Sequence, residues 1–201
     1  MWTLTDWLLL FTLGVSAFVA TNLDDSLLLL LFFSDRRYRA RHVFAGQALG
    51  VGLLILISLA SALLALALPA RLIGLLGMLP IAIGLKQLFE RQRGTATEPP
   101  SPDTARGPGW RRTAVVAGTA LASGGDNIGV YVPLFATRPP AQAVYLVMIF
   151  AVMLVVWTFA GYYLARRSAV AAPLKRRGQH LMPYVLIALG SVILIESFFR
   201  S

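Results

Sequence analysis

The stretch Ala122-Ser123-Gly124-Gly125-Asp126-Asn127-Ile128-Gly129 interrupts a segment that is otherwise apolar enough to cross a bilayer. A carboxylate at membrane depth costs about 2.5–3.5 kcal/mol on insertion scales, so Asp126 is expected to have a function there. The glycines beside it weaken the helix and expose backbone carbonyls, which is useful where a polar group must be bound. The stretch therefore predicts a broken helix with a polar site inside the membrane.

A second stretch of the same kind, Ala20-Thr21-Asn22-Leu23-Asp24-Asp25, lies 102 positions earlier. The alignment pairs three polar positions: Thr21 with Ser123, Asp24 with Asp126, and Asp25 with Asn127. A polar, interrupted helix thus occurs at matching places in two halves of the chain.

The composition is typical of an integral membrane protein. Of the 201 residues, 57% are hydrophobic and 13% are charged, whereas soluble domains carry about 25% charged residues. Six stretches are long and apolar enough to be membrane-spanning helices: Trp7–Phe33, Val43–Ala67, Leu72–Phe89, Thr113–Phe135, Ala141–Ala165 and Leu181–Phe199. The sequence therefore predicts an all-α polytopic membrane protein with a single transporter domain over residues 1–201.

The basic residues indicate how the spans are oriented. Fifteen of the 18 lysines and arginines fall in three connections, within residues 35–42, 86–112 and 166–177. By the positive-inside rule these connections lie in the cytoplasm and both termini lie outside. The net charge of +9 is thereby explained by topology and does not indicate a nucleic-acid partner.

The arrangement of the spans predicts an inverted repeat. Residues 91–112 are rich in Pro, Gly, Thr and Arg, which predicts a flexible cytoplasmic linker between repeat one, residues 1–90, and repeat two, residues 113–201. Because each repeat has three helices, an odd number, the second enters the membrane in the opposite sense to the first. Inverted repeats with broken helices are typical of secondary transporters, whose substrates bind near the midplane.

The polar residues of the two breaks form the predicted metal site. They are three carboxylates, two amides and two hydroxyls: Asp24, Asp25, Asp126, Asn22, Asn127, Thr21 and Ser123. Such oxygen ligands suit a divalent cation, which is the expected substrate. Membrane lipid is expected to surround the protein, and no permanently bound cofactor is expected. The chain has no cysteine, which excludes thiolate sites. Since carboxylates this close cannot all stay ionised when the cation leaves, protons are the expected coupling ion.

Four motifs carry a resemblance to a known family. They are Ala20–Asp25, Gly46-Gln47-x-Leu49-Gly50, Leu76-Gly77-x-x-Pro80-Ile81-x-x-Gly84 and Gly124–Phe135, which reads GGDNIGVYVPLF. In this order they resemble the cadmium resistance transporter (CadD) family of the LysE exporter superfamily. The resemblance implies a non-enzymatic, multi-pass exporter of cadmium or a related divalent cation in the bacterial inner membrane. An oxygen-ligand site suits zinc or manganese as well as cadmium.

Other functions are compatible with parts of this pattern. A different exporter of the LysE type would carry an amino acid, but no Lys or Arg lies at mid-depth to bind its carboxylate. An intramembrane aspartyl protease also uses two transmembrane aspartates, although its signature has Gly where this chain has Ser123. A purely structural membrane protein would tolerate neutral substitutions of the aspartates. The GxxxG pair Gly46 and Gly50 permits a homodimer.

Overall fold

The structure, a computed structural model, describes residues 3–23, 25–65, 67, 75–93, 108–166 and 183–195. These residues form eight α-helices: α1 Leu4–Asn22, α2 Ser26–Ser34, α3 Ala40–Ala65, α4 Met78–Arg93, α5 Gly109–Ser123, α6 Gly125–Ala136, α7 Pro140–Ala165 and α8 Pro183–Ile195. The prediction of an all-α chain is confirmed for these ranges.

Three of the described helices, α1, α3 and α7, are long and apolar enough to cross a membrane, and α8 is a shorter apolar helix. Their outward faces carry large hydrophobic side chains, for example Leu9 of α1, Leu64 of α3 and Val152 of α7, which are 65%, 78% and 62% exposed. Continuous apolar surface of this kind is unfavourable in water and favourable against lipid tails. The described helices therefore have the surface of a membrane protein.

Two of the predicted spans are broken where the polar residues lie. The predicted span Trp7–Phe33 is formed by α1 and α2, which are separated by a turn after Asn22. The predicted span Thr113–Phe135 is formed by α5 and α6, which are separated at Gly124. Each of these two spans thus consists of two shorter helices.

The helices extend into the predicted linker from both sides. Helix α4 continues to Arg93 and α5 begins at Gly109, so both ends of the predicted linker, residues 91–93 and 109–112, are helical. Gln and Arg are good helix formers, which explains the extension of α4. Pro108 has extended backbone, with φ −63° and ψ 161°, and caps the start of α5. Residues 94–107 lie outside the described residues.

Helix α3 of the first half packs against α5 and α6 of the second half. A Cβ atom added to Gly46 would lie 2.5 Å from the Cβ of Val116, and one added to Gly50 would lie 2.7 Å from the Cβ of Ala120. Because the later residue of α3 meets the later residue of α5, the two helices run parallel. The GxxxG pair is therefore used inside this chain. The homodimer stays a prediction, without support from this pair.

The reciprocal contact joins α1 and α2 of the first half to α7 of the second half. The rings of Trp7 and Tyr145 are 4.9 Å apart, and a Cβ atom on Gly161 would lie 2.5 Å from the side chain of Leu29. Here too the later residue of one segment meets the later residue of the other, so the broken helix α1–α2 runs parallel to α7. Each half therefore packs its second span on the first span of the other half.

The last helices of the two halves, α4 and α8, run antiparallel. The backbone at Gly77, just before α4, meets Gly190 near the end of α8, whereas Gly84 meets the carbonyl of Pro183 at the start of α8. Small residues at these crossings allow the two backbones to approach each other closely.

Candidate metal site

The first break holds a buried carboxylate. Helix α1 ends at Asn22, and α2 restarts after Asp25, whose carbonyl accepts the Leu29 amide proton at 3.0 Å. The amide and hydroxyl of Ser26 both donate to the Leu23 carbonyl, which closes the turn. Asp25 is only 6% exposed. The predicted ligand Asp24 lies outside the described residues.

The second break places two polar residues in the first turn of α6. Gly124 adopts a turn conformation with φ −78° and ψ 19°, and a side chain there would collide with Leu54 of α3. Any side chain at this position would therefore force the Leu54 side chain to move. Asp126 lies partly buried after the turn and accepts the amide proton of Asn127 at 2.9 Å, while Asn127 is fully buried. A carboxylate at a helix N-terminus is stabilised by the helix dipole.

A tyrosine joins the two breaks. The hydroxyl of Tyr131 in α6 lies 3.0 Å from the Thr21 hydroxyl and accepts a hydrogen bond from the Asn22 amide, also at 3.0 Å. Its ring is fully buried, with the ring centroid of Phe150 4.5 Å away. The Tyr131 hydroxyl is therefore the point where polar groups of both halves converge.

Sequence reasoning did not assign Tyr131 to the site. The available signal was its position four residues after Asn127, which places both side chains on one face of a helix. In an apolar helix, however, a tyrosine is also an ordinary packing residue, and its ring does pack here against Phe135 and Phe150.

Several buried polar atoms near the breaks have no hydrogen-bond partner among the described residues. They are the side-chain oxygen of Asn22, both side-chain polar atoms of Asn127 and the hydroxyl of Ser58 in α3. Leaving such a group unsatisfied costs about 1–3 kcal/mol. Four such atoms around two helix breaks indicate a site built to bind something polar.

The structure brings together only part of the predicted ligand set. Thr21 and Asn22 meet at Tyr131, and Asn127 is buried one turn from Tyr131, whereas Asp25 and Asp126 lie in the two breaks themselves. Ser123 is not joined to them. Its hydroxyl donates back to the carbonyls of Thr119 and Ala120 in its own helix, at 3.0 and 3.3 Å.

Within the described ranges, no group of three His, Cys, Asp or Glu side chains is placed to hold a metal ion. The described residues of the two breaks include two carboxylates, Asp25 and Asp126, and the neutral side-chain oxygens of Thr21, Asn22 and Asn127. The metal site itself stays a prediction.

The chain matches one protein-family model, described as cadmium resistance transporter, over residues 18–199. No curated protein and no solved structure matches it. The match begins just before the first break and covers both breaks and all the helices after α1. The resemblance noted in the sequence motifs is confirmed, and the chain belongs to the cadmium resistance transporter family.

Proposed function

We propose that this protein exports a divalent cation, cadmium or a related ion such as zinc, across the bacterial inner membrane. The observation that carries the proposal is the set of buried oxygen atoms at the two helix breaks. The side-chain oxygens of Asn22 and Asn127 are buried and lack partners among the described residues, and the same two breaks contain Asp25 and Asp126. Carboxylate and amide oxygens are ligands for hard and borderline divalent cations.

The charges of the site favour a cation over an organic solute. No Lys or Arg occurs in residues 18–34 or 113–137, so neither broken span offers a cation for a substrate carboxylate. An amino-acid exporter would have to bind its substrate carboxylate here without a basic side chain from these spans. The two aspartates instead create a negative site in a low-dielectric environment, where a divalent cation is strongly attracted.

The helix directions support six spans arranged as an inverted repeat. If the spans alternate in direction, the first and fifth spans are parallel, as are the second and fourth, and the third and sixth are antiparallel. The contacts of α1–α2 with α7, of α3 with α5, and of α4 with α8 have these directions. Together with the positive-inside rule, these directions support a topology with both termini outside and the basic connections in the cytoplasm.

Proton coupling follows from the chemistry of the carboxylates. Carboxylates that share one cation site repel each other when no cation is bound, so at least one of Asp25 and Asp126 would take up a proton as the cation leaves. Binding a cation then releases that proton. Alternating access between the two halves would turn this exchange into proton-driven export.

The test is cation flux into liposomes that contain the purified protein. Under an imposed pH gradient we expect proton-linked flux of cadmium or zinc in the wild type and its loss in Asp25→Asn, Asp126→Asn and Asp24→Asn. The matched control is Asp35→Asn, because Asp35 forms its ion pair with Arg37 in the loop after α2, outside the site. No divalent flux by folded wild-type protein, or full flux in all three site variants, would rule out the proposal.

A further inference from the structure

The hydrogen-bond network around Tyr131 can be assigned by counting protons. The Thr21 hydroxyl has one proton and lies 3.1 Å from the Ala17 carbonyl and 3.2 Å from the Phe18 carbonyl, which can only accept. When Thr21 donates to its backbone, the Tyr131 proton is donated to Thr21. The Tyr131 oxygen is then the acceptor for the Asn22 amide. This arrangement uses every proton in the network.

The same network fixes which way the Asn22 amide points. Its nitrogen lies 3.0 Å from the Phe18 carbonyl, 3.2 Å from the Thr21 hydroxyl and 3.0 Å from the Tyr131 hydroxyl. Because a carbonyl cannot donate, the nitrogen must occupy this side of the amide. The Asn22 oxygen therefore points the other way, where it is fully buried and meets no donor among the residues that the structure describes.

We propose that Tyr131 is a positioning residue that holds Asn22 with its side-chain oxygen presented as a ligand to the transported cation. The proposal rests on the function proposed above and adds a residue to it. In this role the Tyr131 hydroxyl keeps donating its proton to the hydrogen bond with Thr21, so Tyr131 transfers no proton to the aspartates. It orients a ligand of the other half, as outer-shell partners do in metal sites.

The rigidity of the Tyr131 ring makes this role effective. The ring is clamped by Phe150 and Phe135, with centroid distances of 4.5 and 6.3 Å, so the second half fixes where the hydroxyl lies. The group that it orients, Asn22, belongs to the first half. A movement that separates the halves breaks this bond and leaves the Asn22 amide with its weaker restraint, the bonds to the Phe18 carbonyl and the Thr21 hydroxyl of its own helix. Cation affinity thereby depends on how the halves are arranged, as alternating access requires.

The experiment compares Tyr131→Phe with wild type in cadmium flux and in cadmium binding to the purified protein. Loss of an outer-shell partner lowers metal affinity by about 10- to 100-fold, so we expect KM and Kd to rise on that scale while the maximal rate stays within about twofold. Tyr145→Phe is the matched control. It removes a tyrosine hydroxyl from α7 but keeps the ring that packs on Trp7, and it should leave KM unchanged.

A double-mutant cycle separates positioning from a general structural effect. In Asn22→Leu the oriented oxygen is absent, so adding Tyr131→Phe should change Kd no further. An equal rise of Kd in both backgrounds, or no rise in Tyr131→Phe alone, would overturn the assignment while leaving the cation function intact. If Tyr131→Phe does not fold, Thr21→Val, which removes the acceptor of the Tyr131 proton, must raise Kd in the same direction or the assignment fails. Absence of any divalent flux in wild type would instead refute the proposed function.

Discussion

At the scale of single residues, the unusual feature is polar atoms that are buried and unpaired. Asn22, Asn127 and Ser58 are fully buried, and each has a side-chain atom without a partner in the described part of the chain. A structural role alone would favour apolar side chains at these positions, since each unpaired atom costs about 1–3 kcal/mol. These positions lower the stability of the fold at the place where a transported cation would pass. Such a trade-off between stability and function is common at functional sites.

Ser58 is the residue of this set that sequence reasoning passed over. It lies one helical turn after Leu54, whose side chain packs on the break at Gly124, so it faces the second break from α3. A serine in an apolar helix carries no signal by itself, because such hydroxyls usually bond to their own helix backbone. The structure shows that the Ser58 hydroxyl has no such bond within the described residues.

We predict that Ser58→Ala makes the protein more stable and a poorer transporter. Removing an unsatisfied hydroxyl should leave the melting temperature unchanged or raise it, whereas loss of an oxygen beside the break should raise the KM for the cation several-fold. Thermal unfolding and liposome flux measure the two effects. Ser191→Ala, whose hydroxyl is bonded to the Ile187 carbonyl in α8, should leave KM unchanged. A lower melting temperature with normal transport would contradict the prediction.

At the scale of helices, the sequence was sufficient to locate the breaks but not the partners of each helix. A carboxylate flanked by glycine or asparagine inside an apolar run indicates a break, and both predicted breaks are present. The pair Gly46 and Gly50 indicates close backbone approach, but it does not distinguish a neighbour in the same chain from one in a second copy. The partner, α5, is set by the packing of the whole bundle. Thr21 and Ser123 illustrate the same limit. They align in sequence, but among the described residues the Thr21 hydroxyl bonds to the other half, at Tyr131, whereas the Ser123 hydroxyl bonds to its own helix.

Two glycines in α3 provide a direct test of this packing. A Cβ on Gly50 would lie 2.7 Å from the Ala120 Cβ and 2.8 Å from the Ala117 carbonyl, whereas one on Gly52 would meet nothing within 4 Å. Gly50→Ala should therefore destabilise the protein by about 1–3 kcal/mol through overpacking. Gly52→Ala, in the same helix, should be neutral or stabilising by up to about 1 kcal/mol. Thermal unfolding of both variants in the same detergent measures this difference in stability. Equal melting temperatures would show that α3 does not pack on α5 in this way.

At the scale of the whole molecule, the two halves are interleaved. The second span of each half packs along the first span of the other, and the two polar breaks meet at Tyr131. This pattern supports the proposed inverted repeat, in which the substrate site would lie between the two halves. The orientation in the membrane follows from the placement of the basic residues, a prediction that labelling can test.

The natural absence of cysteine makes the topology straightforward to measure. We expect Arg39→Cys, in the exposed basic connection before α3, to be protected from a membrane-impermeant thiol reagent in intact cells and labelled after lysis. Ala141→Cys, exposed in the first turn of α7, should be labelled in intact cells. The wild-type protein, which has no cysteine, is the negative control for labelling. Labelling of the Arg39→Cys variant in intact cells would contradict the proposed orientation and indicate the opposite one.

The packing of α3 on α5 also sets the order in which this protein can be built. Gly50 meets Ala120, which emerges from the ribosome seventy residues later. At roughly 5–20 residues per second, α3 must wait about 4–14 s for its neighbour, with its glycine face open to lipid or to other proteins. A polypeptide that ends after the first half never receives that neighbour. The two repeats therefore mature together, late in synthesis, and damage to either one should send the whole chain to degradation.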